Sequence, residues 1–114
     1  MGKLYNLQYL EEISSGDREF IIDMLNDFVK NTPSVLAEID GYINASDWAQ
    51  LYKTLHKLIP TFEFVGAECI RTDLRNLEQF SKTQTNLELI NPLIFNIRSY
   101  CNDIILEIKS DYNI

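Results

Sequence analysis

The chain has 114 residues, of which 46% are hydrophobic and 24% charged, with a net charge of −7. That length suits a single domain over residues 1–114, whose core needs neither disulfides nor a structural metal. The acidity and the lack of any basic stripe argue against a nucleic-acid partner, and no apolar run reaches the roughly 18 residues that would predict membrane insertion.

The opening stretch MGKLYNLQYLEE lacks the basic-then-apolar layout and cleavage site of a signal peptide, so a cytoplasmic location is expected. Leu4, Leu7, Leu10 and Ile13 predict a short first helix, closed by Ser14, Ser15 and Gly16. Asp17 is then a candidate N-cap for a second segment, where Phe20, Ile21, Met24, Leu25, Phe28, Val35, Leu36, Ile39 and Ile43 recur at helical spacing. Pro33 should bend or split that segment. Asp47 can cap a third element, with Gln50 three residues on in the manner of a capping box.

A fourth helix is read from Ala67, Ile70, Leu74 and Leu77, and the loop KTQTN separates it from a fifth. Thr85 with Glu88 offers a capping box for that last helix, and Asn91-Pro92 offers an alternative start. Leu87, Ile90, Ile94, Ile97, Cys101, Ile104 and Ile108 are spaced alternately by three and four, a narrow seam suited to antiparallel packing. The pattern predicts an all-α protein: an antiparallel up-and-down four-helix bundle with an additional short N-terminal helix. Cys69 and Cys101, with no CxxC and no second histidine beside them, read as reduced packing residues and not as metal ligands. The absence of a Gly-rich phosphate loop, a Ser/His/Asp set and an HExxH motif makes a nucleotide enzyme a poor fit.

The third element carries the only histidine, His56. On a wheel of about 100° per residue, Trp48, Leu51, Leu55, Leu58, Ile59, Phe62 and Val65 form one stripe. His56 falls about 110° from the middle of that stripe, beside Ala49, Tyr52, Lys53, Pro60 and Glu63, which predicts a place on the flank of the domain. Pro60 cannot donate to the carbonyl of His56, yet Phe62 and Val65 continue the stripe beyond it. A kinked helix that persists through at least Phe62 is therefore expected. Gly66 is expected either at a close approach to a neighbouring backbone or as a simple turn glycine.

Taken together, these residues resemble the histidine-containing phosphotransfer (HPt) domain family, whose signature is H-x-L-K-G with a further glycine ten residues after the histidine. His56 matches the phospho-accepting histidine, Leu58 the leucine and Gly66 the last glycine. Asp47-Trp48 upstream, Leu77-Glu78 in the next helix and the helix count are also similar to the family. Two positions depart from the pattern: Ile59 stands where the family has lysine, and Pro60 where it has the first glycine.

The resemblance implies a carrier in a multistep two-component phosphorelay, a phosphotransfer intermediate with no nucleotide site of its own. A receiver-domain aspartate would donate its phosphoryl group to His56, which would pass it to another receiver. The implied partners are response-regulator receiver domains or a hybrid histidine kinase, and the Mg²⁺ would come with the receiver, leaving this chain without a cofactor. Lys53, one helical turn before the histidine, is the expected substitute for the missing lysine, ahead of Lys57. Tyr52, Ile59, Pro60, Phe64 and Gly66 would support docking. A helical adaptor that binds a receiver or kinase without carrying phosphate is the alternative.

Overall fold

The computed structural model describes residues 4–114, and residues 1–3 of the expected domain lie outside the described residues. Among the described residues there are five α-helices and no strand: α1 (Gln8–Ser14), α2 (Arg18–Asn44), α3 (Trp48–Phe64), α4 (Arg71–Thr83) and α5 (Ile90–Tyr112). Short 3-10 turns, Glu68–Ile70 and Leu87–Leu89, lead into α4 and α5. No helix of the described residues is long and apolar enough to cross a membrane.

The helix starts follow local chemistry. The Asp17 carboxylate accepts from the backbone N–H groups of Glu19 and Phe20 at 3.1 and 3.3 Å, and Asp47 accepts from Gln50 at 3.3 Å, so orphan donors at both N-termini are satisfied. α1 ends where Ser15 and Gly16 turn to positive φ and the Gly16 N–H closes back on the Glu11 carbonyl at 2.9 Å.

Packing then joins α2 to α3 and α5, and α4 to α3 and α5, while α1 rests on α2. The core is the predicted set in large part. Leu25, Ile39, Leu51, Leu55, Leu74, Leu77, Ile97, Ile104 and Ile108 are almost wholly enclosed. Every member of the α5 seam is buried except Leu87, which lies before the helix and is exposed.

Several expectations are corrected. Pro33 does not split its segment: α2 runs unbroken from Arg18 to Asn44. The proline is exposed, and Thr32 and Leu36 are buried on either side of it. The lost backbone bond costs roughly 3 kcal/mol, which burial of side chains such as Phe28, Leu36 and Ile39, each contributing about 1.5–3 kcal/mol, offsets.

Leu4 and Leu7 do not belong to the first helix. They lie on the non-helical strap before α1, while Ile13 is exposed. Ala67 and Ile70 precede α4 proper and fill the core from the connecting turn. The Thr85/Glu88 capping box does not form, and α5 starts at Ile90, close to the alternative at Asn91-Pro92. Cys101 is a buried packing thiol as expected, but Cys69 is exposed on the turn before α4.

Candidate functional site

α3 stays helical through Pro60 to Phe64, because Leu58, Ile59 and Phe62 keep their buried positions on both sides of the proline. The proline itself is exposed. His56 stands one turn before it, and its side chain is 70% exposed. The flank predicted from the wheel is therefore where the imidazole lies.

The ring is not free to turn. Its Nδ1 sits 3.0 Å from Oε2 of Glu78 on α4, a carboxylate whose side chain is only 18% exposed. An ionised carboxylate offers only lone pairs, so Nδ1 carries the proton and donates. In that tautomer Nε2 holds the unshared pair. One turn back along α3, Tyr52 stacks on the imidazole with centroids 5.8 Å apart and planes at 28°.

α4 answers α3 in reverse order along this face. Tyr52 meets Lys82, whose Nζ lies 5.8 Å from the ring centroid. His56 meets Glu78, and Glu63 pairs with Arg75 at 2.9 Å. Partners on α4 thus descend as positions on α3 ascend, and three charged contacts line the seam. The Ser81 hydroxyl, buried beneath it, donates to the Glu78 carbonyl at 2.8 Å.

Gly66 ends this face at a close approach. Its φ is +63°, and a Cβ placed there would lie 2.1 Å from the Asn6 carbonyl oxygen and 2.8 Å from the Asn6 nitrogen. The Asn6 N–H donates to the Val65 carbonyl at 3.0 Å, which draws the N-terminal strap under the end of α3. Both readings of this glycine hold, since the same residue makes the turn and permits the contact.

The remaining expected residues separate. Pro60, Phe64 and Gly66 border a groove with Tyr9 and Arg71, and the Tyr9 and Phe64 rings are 5.4 Å apart. Ile59, also expected among the docking residues, is largely buried in the core at 6% exposure and lines that same groove. Lys53 and Lys57 line the groove between α2 and α3 with Val35, Glu38 and Tyr42. The polar and stacking contacts of the ring are to Glu78 and Tyr52.

Sequence reasoning missed the part played by α4. Glu78 was singled out only as a point of family resemblance, and Lys82 only as part of a loop. The readable signal was the i, i+4 spacing of Glu78 and Lys82 on an amphipathic helix, which sets both on one face. No family model, curated protein or solved structure matches the chain.

Proposed function

We propose that the chain is a histidine phosphotransfer carrier of the HPt type, in which α2 to α5 form an antiparallel up-and-down four-helix bundle and α1 caps it. The observation that carries this reading is the imidazole of His56: largely exposed, held at Nδ1 by a mostly sheltered carboxylate, with its other nitrogen making no hydrogen bond among the described residues. A nucleophilic histidine needs the neutral tautomer, a fixed plane and an open approach, and this geometry is compatible with all of them.

In the forward step the Nε2 lone pair attacks the phosphorus of a receiver's aspartyl phosphate. The N–P bond forms while the P–O bond to the receiver's carboxylate breaks, and the electron pair leaves with that carboxylate. The Nδ1 proton stays in place, and the positive charge developing on the ring meets the Glu78 carboxylate. The reverse step has the same form, with a second receiver's aspartate attacking phosphorus and Nε2 recovering its pair. Mg²⁺ belongs to the receiver's side of this chemistry. The chain's own share is exposure, orientation and docking, with the exposed Pro60 leaving the approach to the ring uncrowded.

The reading accords with a cytoplasmic signalling protein whose partners are receiver domains or a hybrid histidine kinase. Incubation with receiver domains of the same organism, charged beforehand with phosphoramidate, tests it. Label should move to this chain, survive base and be lost in acid. Stable binding of receivers without transfer would instead assign a docking module.

A further inference from the structure

We infer that Lys82, on α4, supplies the cation that meets the phosphoryl oxygens at His56, in place of the lysine that the phosphotransfer signature would put on α3. The inference rests on the phosphotransfer reading and adds a residue to it.

Three observations carry it. First, Ile59 holds the signature position on α3 and is buried, while Lys53 and Lys57, the α3 lysines nearest in sequence, line the groove toward α2. Second, α4 offers a cation. Lys82 lies one turn beyond Glu78 and rests over the Tyr52 ring, the same ring that stacks on His56. Third, Lys82 is available, since it forms no ion pair among the described residues, whereas Arg75 on the same helix is tied to Glu63.

The chemistry demands such a group. A phosphoryl group on Nε2 brings about two negative charges next to the Glu78 carboxylate, on a chain whose net charge is already −7. Without a nearby cation, the contact that fixes the ring would also repel the group it is to carry. A lysine suits this position because its flexible four-carbon stem and three donors can swing from the tyrosine face to a phosphoryl oxygen. Tyr52 then acts as a rest for the lysine as well as a wall for the imidazole. No bond is made or broken at Lys82, which acts by charge alone.

Transfer from a phosphoramidate-charged receiver to the wild type and to Lys82→Gln, Lys82→Arg, Lys53→Ala and Lys57→Ala, with thermal midpoints measured alongside, tests the inference. Lys82→Gln should slow labelling about tenfold, the loss typical of a charge-assisted hydrogen bond. Lys82→Arg should recover most of the rate, the two α3 variants should stay within about twofold of wild type, and all midpoints should agree. Normal labelling of Lys82→Gln, or a larger loss at Lys53 or Lys57, overturns the inference and leaves the carrier reading standing. A wild type that no receiver labels overturns both.

Discussion

The imidazole of His56 and the carboxylate of Glu78 form one unit, and the two should respond differently to substitution. On the proposed carrier reading, removing His56 removes the nucleophile. Removing Glu78 leaves the nucleophile but frees the ring to rotate and to adopt the other tautomer. Glu78→Ala should therefore lower the transfer rate about tenfold while labelling still goes to completion. Single-turnover kinetics would separate the cases, and an unchanged rate would mean that the 3.0 Å contact orders nothing of consequence. Gly66 is the other residue with a sharp expectation. A methyl group there meets the Asn6 backbone at 2.1 Å and suffers the left-handed φ of +63°, so Gly66→Ala should destabilise the fold by about 2 kcal/mol or more. Urea denaturation checks this, and a loss below about 0.5 kcal/mol, the range of an indifferent surface change, would contradict the close approach.

At the scale of the element, α3 shows what the sequence discloses and what it withholds. Its buried face and the flank position of His56 follow from the 100° wheel alone, because an isolated amphipathic helix has only one way to meet a core. Its persistence through Pro60 was legible for the same reason, since Phe62 and Val65 had to remain on that face. Pro60→Ala restores a backbone donor at an exposed position, so it should leave stability unchanged or raise it. A loss greater than about 1 kcal/mol in the same denaturation experiment would show that the packing depends on the proline. What α3 could not disclose was which side of the imidazole faces which helix. Lys53 is one turn from His56 in sequence, yet it lines the α2 groove, while Lys82, far from His56 in sequence, comes from α4, which packs against α3. Spacing along one helix fixes angles on that helix and says nothing about its neighbour's register. The strap at Leu4 and Leu7 escaped for a related reason: three-residue spacing fits a helix, but the contacts that hold the strap, at Val65 and Glu107, come from distant segments.

For the molecule as a whole, the helical class and most of the core were legible because every long segment carries a continuous 3.6-residue period, and α5 alone contributes seven buried residues from Ile90 to Ile108. The chemistry of that core also sets how stability varies with pH. Burial pushes the Cys101 thiol up to about 12, and burial with the hydrogen bond to Asp111 likewise raises the Tyr5 hydroxyl well above its ordinary range. Both groups hold their protons more tightly folded than unfolded. Their contribution is fully present below the unfolded values, near 8.5 for the thiol and 10 for the phenol, and is lost as pH rises through the folded ones. Stability should therefore fall steadily above about pH 9, and the fall should be shallower in Cys101→Ala than in wild type, whatever that variant's stability at neutral pH. Equal slopes in the two proteins would show that Cys101 is not held protonated by the fold.

The central proposal is that this all-helical domain presents one imidazole to a succession of receivers. Transfer of radiolabelled phosphate from charged receiver domains to the wild type and to His56→Gln tests it most directly. The account predicts an acid-labile, base-stable label on the wild type and none on the variant, with both equally folded. A label that persists on His56→Gln, or receivers that bind the wild type and never label it, would contradict it.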